Sequence, residues 1–234
     1  MILGCGGGGG SYLIGVTQHP EAHLTCMDLS SEMIRLTEEK CKPLTEAPFN
    51  RKIDFVEGSA ESLPFEDGTF DAVLSNYCLH LVPNPDLVLK EVHRVLKKGG
   101  KACFSVWGRQ EYSPQFTIIQ KCVAECKKEW GIVDNKLPPR SPFHLNNKDE
   151  TRERALKVGF GMVQAWYQFQ PFHTTTAKEF TELNIETPDL MALLSNVSEE
   201  QAQYFKDKME KMAGAIYDKN EPIGNDVLMI LAIK

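Results

Sequence analysis

Short apolar runs and longer amphipathic stretches alternate through the first half of this chain, and that alternation restricts the fold more than any other feature. Residues 22–27 (AHLTCM), 53–56 (IDFV), 70–75 (FDAVLS) and 102–107 (ACFSVW) have strand length and are bounded by Gly, Asp or a turn. Between them, 31–42 and 86–97 carry apolar residues at helical spacing, with Leu87, Val88, Val92, Val95 and Leu96 on one stripe. A strand that returns parallel to its predecessor needs a crossover helix, so the pattern predicts an α/β fold with helices on both faces of a mostly parallel sheet. Asn84-Pro85 reads as an N-cap followed by proline at the first helical position. Lys97-Lys98-Gly99-Gly100 reads as the matching stop, with cations at the negative helix end and glycine free to take positive φ.

After Trp107 the pattern changes. Ser113-Pro114 opens a helix to about Trp130, and the Pro-rich stretch from Leu137 to Phe143 reads as a loop or lid. Asn147 with Glu150 resembles a capping box for a short helix ending near Gly159, and 160–169 reads as a strand. Thr187-Pro188 and Ser198-x-x-Gln201 start two more helices, the second reaching about Tyr217, before a buried terminal strand at 226–234. The length of 234 residues predicts one domain, 1–234, with helical inserts at about 110–158 and 175–220 covering the carboxyl ends of the strands.

A net charge of −6 offers no basic field to a phosphate backbone, so a small molecule is the expected partner rather than nucleic acid. The seven cysteines form an odd set without a C-x-x-C pair, which predicts reduced thiols used as small hydrophobes in a cytoplasmic protein. Cys122 and Cys126 share a helix face but have no nearby His or Cys to complete a zinc site, so no metal is expected. No apolar stretch approaches the roughly 20 residues of a membrane span. The sequence leaves the oligomeric state open.

The chemistry concentrates near the start. Ile2-Leu3 is a short apolar strand that runs into Gly4-Cys5-Gly6-Gly7-Gly8, and Gly4, Gly6 and Gly9 satisfy G-x-G-x-x-G. Such a bend lets the backbone approach a ligand closely, with a helix N-terminus following. Gly6 to Gly10 also read as a flexible joint. Asp28, at the end of the second strand, is placed to accept hydrogen bonds from ribose hydroxyls; its alternative role is to cap the helix starting near Ser31. These features alone do not separate a nicotinamide cofactor from S-adenosylmethionine.

Further segments follow in order: Leu24 to Met33 (LTCMDLSSEM), Gly58 to Phe65 (GSAESLPF), Phe70 to Asn76 (FDAVLSN) and Leu96 to Gly100 (LKKGG). With the glycine bend, this series resembles the class I S-adenosylmethionine-dependent methyltransferases, especially the branch of the ubiquinone and menaquinone biosynthesis enzymes, over residues 2 to about 108. The resemblance implies a Rossmann-like, seven-stranded sheet whose last strand is antiparallel. It implies that Gly4, Cys5 and Gly6 wrap the methionine and ribose of S-adenosylmethionine, that Asp28 holds the ribose and that Leu29 packs on adenine, with Met33 lining the same pocket. Ser59, Ala60 and Glu61 would meet the adenine edge, and Asn76 would lie against the methionine end. Ser59 stands where the family carries an acidic residue, which should weaken adenine recognition by roughly 1 kcal/mol. Ile2 stands where an acidic residue helps hold the methionine ammonium. The family also has a longer first strand and preceding helices, so the resemblance implies a chain shortened at that end or a pocket open on one side.

An activated sulfonium methyl needs an aligned acceptor and the exclusion of water more than it needs a base. His80, just past the fourth strand, is the candidate base for a hydroxyl acceptor; its alternative role is to pack under the sheet edge. Tyr77, Trp107 and His144 join His80 as candidates for the substrate pocket, and Tyr112, Phe143 and His173 fall at strand ends or in the inserts. The expected function is methyl transfer to a small-molecule acceptor with S-adenosylhomocysteine as product. The alternatives are a non-catalytic or truncated relative, and an NAD-dependent oxidoreductase, for which no Tyr-x-x-x-Lys pattern is present.

Overall fold

A computed structural model describes residues 1–133 and 140–234. Leu137, Pro138 and Pro139 of the Pro-rich stretch lie outside the described residues. Strand β1 (Ile2–Leu3) leads through the glycine bend into α1 (Gly9–Thr17), then β2 (His23–Asp28), α2 (Ser31–Thr45), β3 (Lys52–Glu57), β4 (Phe70–Asn76), α3 (Pro85–Val95) and β5 (Leu96–Trp107). The remaining elements are α4 (Pro114–Glu129), α5 (Lys148–Val158), β6 (Met162–Pro171), α6 (Ala177–Ile185), α7 (Pro188–Leu194), α8 (Glu199–Tyr217) and β7 (Gly224–Ile233). The seven strands form one sheet in the order β3-β2-β1-β4-β5-β7-β6. Pairing from β3 to β5 is parallel. β7 runs antiparallel beside β5: Lys234 exchanges backbone hydrogen bonds with Gly99 and Gly100, while Gly108 donates to the Asp226 carbonyl. This is the Rossmann-like methyltransferase sheet that the resemblance implied.

Sequence and structure part at two helix ends. α2 does not stop before Pro43 but continues to Thr45, because Cys41 and Leu44 are fully buried and a proline in the last turn loses little. α3 stops at Val95, ahead of the Lys-Lys-Gly-Gly segment read as its stop, and the basic residues in its last turn are His93 and Arg94. Leu96 is already extended, fully buried and paired with Phe70, while Lys101 pairs with Ala72, so residues 97–100 bulge out of β5. Gly99, at φ 78°, turns that bulge.

The chain divides into two compact units. The first comprises Met1–Trp107, Pro142–Tyr167 and Leu228–Lys234; the second comprises Gly108–Ser141 and Gln168–Val227. In the first, Leu3, Met27, Val73, Val92, Phe104 and Leu228 belong to the main core, and Ile2, Cys5, Leu24 and Cys26 form a smaller cluster with Ile14, Ile34 and Ile53. Burying one such large side chain stabilises by about 1.5–3 kcal/mol. α5 belongs to this unit and is tied to α3 by the Arg154–Asp86 ion pair at 2.9 Å. In the second, α4, α6 and α8 enclose Ile118, Phe180, Phe205 and Met209, and Cys122 and Cys126 pack there as buried free thiols. The buried Asp226 carboxylate accepts from the backbone N, Nε and Nη2 of Arg109 in the same unit.

Candidate active site

Where strand order reverses between β1 and β4, the loops leaving their carboxyl ends diverge, and open α/β sheets place their ligand crevice at such a point. The glycine bend sits there and is rigidly held. The N–H groups of Gly4 and Cys5 both donate to the Met27 carbonyl, at 2.8 and 3.0 Å. Gly4 has φ 72°, and a Cβ on it would lie 2.5 Å from Cys78 Sγ. Gly8, at φ 78°, caps α1, and a Cβ there would lie 2.8 Å from the Thr37 Cα. Neither position accommodates a side chain. The buried Thr37 hydroxyl of α2 donates to the Gly6 carbonyl at 2.7 Å. Gly9 and Gly10 form the first turn of α1, so this glycine run is not a flexible joint.

Asp28 ties the bend to the next helix. Its Oδ2 accepts from the Gly6 N–H at 2.9 Å, and its Oδ1 accepts from the Ser30 N–H at 3.1 Å. The α2 cap is Ser30, whose hydroxyl accepts from Met33 N, and so the capping role considered for Asp28 falls to its neighbour. Each ionised carboxylate oxygen offers about two acceptor sites, so both oxygens of Asp28 retain one for a ligand hydroxyl.

A cavity of about 310 Å³ opens beside this arrangement. Gly4, Asp28, Leu29, Ser59, Ala60, Glu61 and Tyr77 of the expected site line it. Cys5, Gly6, Met33 and Asn76 are not among its lining residues. Cys5 and Gly6 lie in the bend behind it, and Met33 lies on the first turn of α2. Asn76 Oδ1 accepts from the Ser105 hydroxyl at 2.6 Å. The Ser59 hydroxyl accepts from Glu61 N, and the Glu61 carboxylate accepts from Asn84 N, so the turn after β3 is bonded to the start of α3. A larger cavity of about 780 Å³ is lined by His23, Asp54, Phe70 and Lys97 at the opposite, starting end of the strands and includes no residue of the glycine bend.

The segment after β4 supplies lining that sequence reasoning missed: Cys78, Leu81, Val82 and Pro83. Leu29 and Leu81 are 73% and 71% exposed, which makes them unpacked apolar surface at the cavity. Tyr77 adopts φ 52°, a left-handed conformation that costs a non-glycine residue of order 1–2 kcal/mol. Its N–H is held by both the carbonyl and the hydroxyl of Ser105, at 3.1 and 3.0 Å.

Behind Tyr77 the structure gathers the four candidate pocket residues. The Tyr77 and Trp107 rings lie 4.1 Å apart, and His80 lies 6.5 Å from Tyr77 and 5.8 Å from Trp107, centroid to centroid. His144 Nε2 donates to the His80 carbonyl at 3.1 Å. His80 is only 5% exposed, and its Nδ1 is buried without a hydrogen-bond partner among the described residues. Burial, with a smaller contribution from His144, lowers its pKa to about 4; burial also raises that of Tyr77 to about 12. At neutral pH the cluster therefore presents a neutral imidazole and a neutral phenol.

Comparison with known proteins shows what this chain is similar to. A family model described as "Methyltransferase domain" matches residues 2–104. The chain is 36% identical over 102 residues to the ubiquinone/menaquinone biosynthesis C-methyltransferase UbiE of Agrobacterium fabrum, a match covering 43% of this chain and 38% of that protein. It is 30% identical over 156 residues to the demethylmenaquinone methyltransferase of Staphylococcus carnosus, covering 62% and 60%. The matches thus span about two fifths to three fifths of these relatives' lengths. The fold superposes on Haemonchus contortus phosphoethanolamine N-methyltransferase 2, solved with S-adenosyl-L-methionine, at a TM-score of 0.54 and 20% identity, covering all of this chain and 47% of that one. Residues 2–104 thus resemble a methyltransferase domain and are similar to enzymes of ubiquinone and menaquinone biosynthesis, and the sheet order is that of the Rossmann-like methyltransferase fold.

Proposed function

We propose that this protein transfers the methyl group of S-adenosylmethionine to a small-molecule acceptor. The observation that carries the reading is Asp28: one carboxylate, bonded to both the glycine bend and the start of α2, faces a cavity with acceptor capacity to spare. The residues present fit the group. Asp28 would hold the ribose hydroxyls, Gly4, Cys5 and Gly6 the tail and ribose, and Leu29 the adenine face, with Ser59, Ala60 and Glu61 at the adenine edge and Met33 and Asn76 flanking them. When bound, S-adenosylmethionine supplies a methyl group activated by its sulfonium charge, and no metal is required. The protein's own part is to fix the bend, to exclude water with the segment after β4, and to present the acceptor beside Tyr77, His80, Trp107 and His144. Residues 1–234 are read as one methyltransferase domain, since β6 and β7 each contribute residues to both units. No described helix is long and apolar enough to cross a membrane, and a cytoplasmic location is part of the same proposal.

Calorimetry with S-adenosylmethionine, S-adenosylhomocysteine and NAD side by side tests the proposal. The two sulfur nucleosides should bind and NAD should not. Binding of NAD alone would turn the reading into an oxidoreductase, and binding of none would make the chain a non-catalytic relative.

A further inference from the structure

The turn that carries Tyr77 to the cofactor cavity is held from the neighbouring strand. β4 and β5 pair in parallel with Asn76 opposite Ser105, so the last residue of β4 lies beside Ser105. One position later the backbone turns left-handed at Tyr77, which lines the cavity. Side chains two residues apart on a strand share a face, and on β5 Ser105 and Trp107 are such a pair. Trp107 stacks on the Tyr77 ring at 4.1 Å, while Ser105 accepts the Tyr77 N–H on both its carbonyl and its hydroxyl. One strand therefore grips Tyr77 twice, by its ring and by its backbone.

The hydroxyl is the part of that grip that depends on the residue type. Its one proton goes to Asn76 Oδ1 at 2.6 Å, which leaves an oxygen lone pair for the Tyr77 N–H at 3.0 Å. Ser105 is buried, so the bond is not one that bulk water replaces. A left-handed backbone at a residue with a side chain and a hydrogen bond that holds it there are free energies of similar size and opposite sign, so removing the bond lets the turn relax. The Tyr77 ring hangs from that turn and moves with it, and a wall of the cavity moves with the ring. Building on the methyltransferase reading, we propose that Ser105 is a positioning residue for S-adenosylmethionine binding: it lies outside the cavity lining and acts through Tyr77, by keeping the left-handed turn, and hence the cavity wall, in the shape that receives the nucleoside. A chain without the hydroxyl divides its molecules between the held turn and a relaxed one, and its apparent affinity falls by the fraction that remains held.

Calorimetry with S-adenosylhomocysteine on the full chain reads the effect without an acceptor. Ser105→Ala should weaken binding by about 3- to 10-fold, the share of held molecules lost with one hydrogen bond, and Ser105→Thr, which keeps the hydroxyl, should return to within about twofold of the wild type. In the Tyr77→Gly background the left-handed turn is free of strain and there is no ring to place, so adding Ser105→Ala should change the affinity by less than about twofold. Near-ultraviolet circular dichroism of the folded proteins gives a readout that a general loss of stability leaves alone. Ser105→Ala should lose part of the aromatic signal that Tyr77→Gly removes, and Ser105→Thr should keep it. Unchanged affinity in Ser105→Ala, a Ser105→Thr variant no better than Ser105→Ala, an undiminished effect in the Tyr77→Gly background, or a wild-type aromatic spectrum in Ser105→Ala overturns the inference. A wild-type chain that does not bind S-adenosylhomocysteine overturns instead the reading on which it rests.

Discussion

Asp28 and His80 do opposite things with their surroundings. The Asp28 carboxylate is bonded by two backbone amides and keeps room for more, so Asp28→Ala should weaken S-adenosylmethionine binding by roughly 1–3 kcal/mol, measured by calorimetry. Unchanged affinity would remove it from the site. The His80 imidazole is buried and resists protonation, holding a pKa of about 4 against an ordinary 6.5. Between those two values the unfolded chain takes up a proton that the native state refuses, so stability is complete above pH 6.5 and declines by about 2–3 kcal/mol as the pH falls to 4. The titrating neighbours on its flanks are His144 and Tyr77, and only His144 adds to the shift. Denaturant unfolding of the wild type and His80→Asn across that window checks this: the variant should lose much less stability on acidification.

Among the elements, α3 shows best how local chemistry sets a boundary. The Asn84 side chain accepts from the backbone N of Asp86 and of Leu87, with Pro85 in the first turn, so Asn84→Ala should cost about 1 kcal/mol. A lower denaturant midpoint with an unchanged slope would show it. This cap was legible because capping is a short-range code, as were Ser198 with Gln201 at α8 and Asn147 at α5. The four strands of the first half were legible because a buried parallel strand has to be a short apolar run. The end of α3 was not: Lys-Lys-Gly-Gly is a sound stop signal locally, but the burial of Leu96 in β5 draws the chain out of the helix one residue after Val95. Asp28 and the glycines were legible as a ribose and cofactor grip. Leu81, Thr37 and Ser105 were not, since their roles depend on contacts with residues 28 to 31 positions away, or on exposure that no pattern encodes. The Arg109 and Asp226 pair, 117 residues apart, is of the same kind.

On the scale of the whole molecule, the recognisable segment and the folding unit do not coincide. The family match ends at residue 104, yet the core it belongs to is completed by Leu145, Ala155, Phe160, Val163, Leu228, Ile230 and Ala232. A fragment of residues 1–107 would lose β7 from beside β5 and uncover that face of the sheet. It should show no cooperative thermal transition and no fixed near-ultraviolet circular dichroism, whereas the full chain should show both. A fragment that melts cooperatively would mean the later segments merely decorate a self-sufficient core.

The left-handed backbone at Tyr77 carries a further consequence. Residues that relax such a conformation most readily, glycine or asparagine, have no ring to offer the cavity or Trp107, while those with a ring must bear the strain. Selection for thermal robustness alone would therefore drive this position away from tyrosine. With tyrosine in place, ruggedness at residue 77 is traded for the shape of a partition.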